Sequence, residues 1–170
     1  MRTITLVSLC LLVIPCAKPA DAWRPANESE LRSVIPVRAL VEKERIETEF
    51  RTASGITNGE GKFVAGVVLI TAGYAAEGKY SNFLIVQVPL KLGDLLLKPG
   101  TYVFGWKHDT EDSLKVSFYE SDTGKLLGTA EAMRTGRAGR VESFRITPPQ
   151  DKGRIQIGRF AIPFELAAES

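Results

Sequence analysis

One short segment gathers the residue types that could act as acids, bases or metal ligands. It reads His108-Asp109-Thr110-Glu111-Asp112 and contains the only histidine of the chain. Carboxylates beside a histidine could bind a divalent cation, or could serve a hydrolase that uses His108. The segment lacks the internal glycine and spacing of an EF-hand loop. We interpret it as a solvated connection between strands, and keep His108, Asp109, Glu111 and Asp112 as weak metal-site candidates.

Other catalytic motifs give an enzyme little support. Zinc would need more histidine or cysteine than residues 23–170 contain, and the absence of cysteine there excludes thiol catalysis. The triplet Asp122-Thr123-Gly124 resembles that of aspartic proteases. A single copy with polar flanks is more typical of a turn. The sequence therefore favours a non-enzymatic protein without a metal or cofactor, with a His108-dependent hydrolase as an alternative.

Positive charge is concentrated in the last third of the chain. Residues 134–159 hold seven basic and two acidic side chains, whereas residues 109–131 hold six acidic and two basic ones. Arg134, Arg137 and Arg140 are interspersed with glycines that would let a loop wrap an anion, such as a lipid headgroup or an acidic glycan. The alternative is two oppositely charged hairpins that face water. The net charge of +2 gives nucleic-acid binding no support.

Two tyrosines offer a third possibility. Tyr74 and Tyr80 lie in one predicted loop, and exposed aromatic rings can stack on sugars. Tyr102, Phe104 and Trp106 alternate along a strand and are more typical of a core. The tyrosines therefore define an alternative function, a carbohydrate-binding module.

The N-terminal segment has the pattern of a secretory signal peptide. Arg2 precedes an apolar run over residues 3–14, and the segment ends in Ala20-Asp21-Ala22. A run of twelve residues is shorter than the roughly 20 that a membrane helix needs. We predict cleavage after Ala22 and export to a periplasm or the extracellular space, with lipidation at Cys16 as a minor alternative. No transmembrane segment is predicted in the mature chain.

The elements that would position these residues are strands. Ile46, Thr48 and Phe50 alternate with charged residues, and residues 63–72 and 83–90 are apolar on both faces, as in central strands. The sequence predicts a single all-β domain over residues 23–170: an antiparallel β-sandwich of eight or nine strands, immunoglobulin-like or jelly-roll-like. Asn27 followed by Glu30 predicts a short N-terminal turn or helix.

Two local patterns refine this prediction. The apolar phase changes at Gly158-Arg159, which we interpret as a one-residue bulge in the last strand. The runs Leu97-Lys98-Pro99-Gly100-Thr101-Tyr102 and Leu114-Lys115-Val116-Ser117-Phe118-Tyr119 together resemble a hairpin of small exported bacterial β-sandwich proteins, a resemblance that implies the fold class alone. The expected function is an exported binding or interaction module, with a cell-envelope glycan, a lipid headgroup or another envelope protein as the partner.

Overall fold

The computed structural model describes residues 23–71, 79–136 and 141–167. Within these ranges the chain is mostly antiparallel β-strand, which confirms the predicted all-β sandwich class. The described residues form 14 strands, more than the eight or nine expected. The additional strands are segments of two to four residues, which are too short to show an alternating pattern in the sequence.

The strands form two sheets. In chain order they are β1 (Arg24–Pro25), β2 (Arg38–Val41), β3 (Glu44–Thr57), β4 (Phe63–Leu69), β5 (Asn82–Val86), β6 (Leu90–Leu92), β7 (Leu95–Leu97), β8 (Gly100–His108), β9 (Ser113–Glu120), β10 (Leu126–Arg134), β11 (Glu142–Thr147), β12 (Arg154–Gly158), β13 (Phe160–Pro163) and β14 (Glu165–Leu166). Neighbours in the larger sheet follow the order β1-β3-β4-β5-β8-β9-β10-β13-β12-β11, and β2 also pairs with β3. The smaller sheet has the order β14-β6-β7.

A capped helix lies near the start of the described chain, as predicted. Helix α1 (Glu28–Val34) begins after Asn27, whose side chain accepts from the Glu30 amide at 3.0 Å while the Glu30 carboxylate accepts from the Asn27 amide at 2.8 Å. Arg24 also donates to Glu30, at 2.6 Å. These hydrogen bonds, chiefly that from Arg24, lower the pKa of Glu30 to about 2.

The predicted bulge at Gly158-Arg159 is wrong, because the chain turns back there. Strands β12 and β13 pair antiparallel, with Ile157 opposite Phe160 and Ile155 opposite Ile162. Residues that face each other across an antiparallel pair lie on the same side of the sheet. A two-residue hairpin loop therefore keeps all four side chains in the core and produces the same change of phase. Gly158 provides the positive φ of +57°.

The larger sheet is buried on both faces along its central strands. Its inner face encloses the main core, which includes Leu84, Phe104, Phe118 and Ile155. Its outer face across β4, β5 and β8 is covered by α1 and the β2–β3 hairpin, and this second core consists of Leu31, Ile35, Ala39, Val41, Ile46, Ala65, Val67, Leu69, Phe83, Ile85 and Val103. Burial on both faces explains why β4 and β5 are apolar at successive positions.

The larger sheet is nearly closed, because its last strand packs on its first ones. Strand β11 lies against β3 and β4, and the Ile146 amide donates to the Ser54 hydroxyl at 2.9 Å. A β-carbon on Gly66 would lie only 2.7 Å from the ring of Phe144. The small residue in β4 therefore gives Phe144 of β11 the space to close the sheet around the main core.

Candidate functional site

A large concave surface lies between the two sheets. Strand β10 pairs with β9 along most of one edge. Its other edge pairs with β13 only at Met133–Ala161 and Arg134–Phe160, and the opening lies at this position. The smaller sheet lies beside this opening, since Leu95 of β7 is next to Gly128 of β10. The space has a volume of about 1420 Å³ and is open to solvent. We call it the basic groove.

The charge of the basic groove is strongly unbalanced. The described residues that line it include five basic side chains, Lys62, Lys91, Arg134, Lys152 and Arg154, and two acidic ones, Asp94 and Glu165. They come from the β3–β4 loop, the smaller sheet, the end of β10 and the start of β12. Fixed cations on the walls of a concave surface reinforce one another's attraction for an anion.

Arg134 lies on the wall of the groove, but described neighbours already hold its guanidinium. Its Nε donates to the Asp112 carboxylate at 2.9 Å, and an Nη donates to the Glu111 carbonyl. Its guanidinium carbon lies 5.0 Å from the centroid of the Phe160 ring. Arg134 therefore links the β8–β9 loop to β13. The other two arginines of the predicted anion loop, Arg137 and Arg140, lie outside the described residues.

Arg154 is the groove cation with the most unusual environment. It is half-buried, and its Nε is inaccessible to solvent without any hydrogen-bond acceptor among the described residues. Its neighbours across the sheet are Thr147 and Pro163, and the Thr147 hydroxyl donates to the carbonyl of Arg154 itself. A buried N–H that lacks an acceptor is costly, and the half-buried guanidinium that carries it lies on the wall of the groove.

Two lysines flank this position from different elements. Lys91 is exposed on β6 of the smaller sheet, opposite Glu165. Lys152 is exposed at the end of the 3₁₀ turn Pro149–Asp151, where its backbone is left-handed with a φ of 58°. Gly153 follows and packs against the Phe164 ring, where a β-carbon would lie 3.0 Å from ring atom Cε2. The turn thus fixes the backbone that carries both Lys152 and Arg154.

Tyr80 lies away from the groove in a polar cluster that ties three segments together. Its hydroxyl donates to the carboxylate of Glu42, which follows β2. Its ring meets the Tyr119 ring edge to face at 5.7 Å, and the Lys79 ammonium lies 4.6 Å from its centroid. We call Glu42, Lys79, Tyr80 and Tyr119 the tyrosine clasp. The other predicted sugar contact, Tyr74, lies outside the described residues.

The clasp shifts the pKa values of its members. The hydrogen bond from Tyr80 holds the pKa of Glu42 below its usual value, and Lys79 adds to the effect. Burial raises the pKa of Tyr80, and the hydrogen bond to Glu42 raises it further. The folded state therefore favours a protonated Tyr80 beside an ionised Glu42.

Replacement of Tyr80 by Phe should cost about 1 kcal/mol of stability at pH 7, the size of one modestly exposed hydrogen bond. The stabilisation from Glu42 is present above its unfolded pKa of about 4.3 and is lost as pH falls through the lower folded value. That from Tyr80 is present below about pH 10 and is lost as pH rises through the higher folded value. Urea unfolding from acid to alkaline pH should show the variant approaching the unmodified protein at both extremes.

The matched control for this experiment is Tyr119→Phe, because the Tyr119 hydroxyl makes no hydrogen bond within the described residues. It should leave the pH profile unchanged. A Tyr80→Phe protein as stable as the parent at pH 7 would show that the hydrogen bond from Tyr80 to Glu42 contributes nothing.

The acidic segment around His108 is held as a turn. The amides of Asp109 and Thr110 donate to the Ser113 carbonyl at 3.1 and 3.3 Å. The His108 ring packs edge to face on Phe160 at 5.7 Å, and Asp112 is paired with Arg134. In the described ranges no three His, Cys, Asp or Glu side chains are grouped as a metal site would require.

The sequence pattern located only part of the basic groove. Lys152 and Arg154 belong to the basic run over residues 134–159, but the sequence does not distinguish them from the other basic residues of that run. Lys62 and Lys91 stand far from that run in the sequence, and only the fold brings them to the same groove. The available signal was the run Pro148-Pro149-Gln150-Asp151-Lys152-Gly153, whose prolines and glycine are typical of a rigid turn that presents its residues.

Comparisons with protein-family models, curated proteins and solved structures found no match to this chain. Among the described residues no helix has the length and apolar character that crossing a membrane would require. The basic groove is therefore the feature from which a function can be argued.

Proposed function

We propose that the protein is an exported, non-enzymatic binding module whose basic groove takes an anionic ligand, either an acidic glycan or a lipid headgroup. The observation that carries this proposal is the excess of basic over acidic side chains along the groove, five against two among the described lining residues. The unpartnered Nε of Arg154 adds a donor that no described group satisfies. A phosphate or carboxylate in the groove would accept charge-assisted hydrogen bonds from the guanidinium of Arg154 and from the lysines.

The size of the groove supports a ligand with more than one contact point. Small-molecule pockets commonly span about 300–1,000 Å³, and this space of about 1420 Å³ is larger. Its cations lie on separate elements, Lys91 on the smaller sheet and Arg154 on the larger one. A ligand held by both would therefore bridge the two sheets.

The alternatives have less support from the geometry. The Tyr80 hydroxyl and ring are already engaged by Glu42 and Tyr119, which leaves less of this residue for stacking on a sugar. The ring of His108 rests on Phe160, and no described nucleophile is hydrogen-bonded to it. Export is supported by the charge and hydropathy of residues 1–22.

The direct test measures binding to two anionic probes, the acidic glycan polygalacturonate and vesicles that contain phosphatidylglycerol. Combined Lys91→Ala, Lys152→Ala and Arg154→Ala substitutions should weaken binding at least tenfold, because each removes a charged hydrogen-bond donor worth about 1.5–3 kcal/mol. Added salt should weaken the parent's binding as well. Mass spectrometry of the same preparation should show a chain that begins at Trp23.

The control removes the same charge from elsewhere, through Lys43→Ala, Lys115→Ala and Arg159→Ala, three exposed positions that do not line the groove. This variant should bind as the parent does. Equal loss in both variants would mean that net charge alone governs binding, and no binding of either probe by the parent would remove the proposal.

A further inference from the structure

The apolar side chains of the basic groove differ in kind according to their exposure. Its aromatic residues are buried, with Trp23 exposed by 8% and Phe164 by 6%. Its accessible apolar residues are aliphatic: Met133 is 51% exposed, and Leu166 is half-buried. Buried rings offer no face for a sugar to stack on. When an apolar chain covers exposed aliphatic side chains, apolar surface is removed from water, which favours binding.

Met133 and Arg154 share one face of the larger sheet. Met133 is opposite Ala161, and Arg154 is opposite Pro163. Ala161 and Pro163 are two residues apart on β13, so they lie on the same side of the strand about 7 Å apart. Ile155 and Ile162 point the other way, into the main core. A single ligand can therefore reach the Arg154 guanidinium and the Met133 side chain together.

Resting on the proposed function, we infer that the ligand is an anionic lipid rather than a glycan. Its phosphate or carboxylate head accepts hydrogen bonds from Arg154, with Lys91 and Lys152 nearby on the groove wall. Its acyl chain lies along Met133 and Leu166. The head accepts from the guanidinium of Arg154 on the groove wall, and the acyl chain covers the exposed side chain of Met133.

Tryptophan fluorescence can locate the acyl chain, because the protein contains two tryptophans and only Trp23 lines the groove. In the Trp106→Phe variant, vesicles of phosphatidylcholine with phosphatidylglycerol brominated on its acyl chains should quench the emission of Trp23. In a Trp23→Phe variant the emission of Trp106 should be little quenched. Equal quenching of the two tryptophans would indicate adsorption without insertion into the groove and would overturn the inference.

The head contact is tested in the Trp106→Phe background by titration with the same vesicles. Arg154→Ala should weaken binding about tenfold, whereas Arg159→Ala, an exposed residue of the same hairpin outside the groove, should not. Every variant has the same N-terminus, so differences between them report on the groove. Equal affinities for Arg154→Ala and Arg159→Ala would overturn the inference.

Met133→Ser provides a second variant that should fold, because the side chain is exposed. It should weaken vesicle binding several-fold. It should not change the weak binding of glycerol 3-phosphate, a headgroup analogue that has no acyl chain. Binding of glycerol 3-phosphate as tight as that of the lipid would overturn the inference. If the protein binds polygalacturonate but not the vesicles, the inference is overturned and the proposed function is retained. If it binds neither probe, both the inference and the proposed function are overturned.

Discussion

Replacement of Gly66 by Ala should destabilise the protein by about 1–3 kcal/mol, the usual cost of an overpacked core. The new β-carbon would lie 2.7 and 2.9 Å from two atoms of the Phe144 ring and 3.0 Å from the Phe83 carbonyl oxygen. Phe144 is buried and contacts the main core, so its ring has little room to move. The substitution therefore pushes β11 away from β4 and opens the nearly closed sheet.

A double-mutant cycle isolates this contact. Phe144→Leu alone should cost about 1–3 kcal/mol, because it leaves part of the ring's space unfilled. In the Phe144→Leu background the added methyl of Gly66→Ala enters that space, so its cost should fall by about 1 kcal/mol or more. Urea unfolding of the four proteins gives the coupling free energy.

The control is Gly55→Ala on the neighbouring strand. Its β-carbon would collide with the Cβ and Cα of Ala65 and the Val64 carbonyl, at 2.8–2.9 Å, and these atoms are unaffected by Phe144→Leu. Its cost should therefore be the same in both backgrounds. If the costs of Gly66→Ala and Phe144→Leu simply add to within about 0.5 kcal/mol, then Phe144 does not close the sheet against Gly66.

Alternation and capping in the sequence predicted the elements whose pairing is local. The hairpin of β8 and β9 is one such case, with Phe104 opposite Phe118. The capping pair Asn27 and Glu30 gave α1. In each case the partners are close in sequence, so the residues that fix the geometry are adjacent in the pattern that reveals it.

Features that depend on long-range packing were not predictable in the same way. The change of phase at Gly158-Arg159 fits both a bulge and a two-residue hairpin, because both return the apolar side chains to one face. Only the antiparallel pairing of β12 with β13 distinguishes the hairpin from the bulge. The smaller sheet is assembled from β6, β7 and the distant β14. The basic groove exists because of that assembly, which is why Lys91 could not be joined to Arg154 by spacing.

Replacement of Asn82 by Val should stabilise the protein by about 1–3 kcal/mol, the opposite of the usual result in a core. Asn82 is 0% exposed, and neither its Oδ1 nor its Nδ2 has a partner among the described residues. Its neighbours across the sheet are Val68 and Phe104, which offer no side-chain hydrogen bond. Removal of the amide eliminates the cost of burying it unpaired. Valine also favours strands.

The comparison that gives this result its meaning is Thr57→Val, a nearly isosteric change at another buried polar residue. Thr57 is as buried as Asn82, but its hydroxyl accepts from the Gly59 amide at 3.1 Å, so its loss should cost about 1 kcal/mol. Urea unfolding should therefore give opposite signs for the two valine variants. Destabilisation by Asn82→Val would instead mean that the amide is hydrogen-bonded in solution, through a bound water or ligand inside the sheet. Asn82 would then be the position from which to search for a second site.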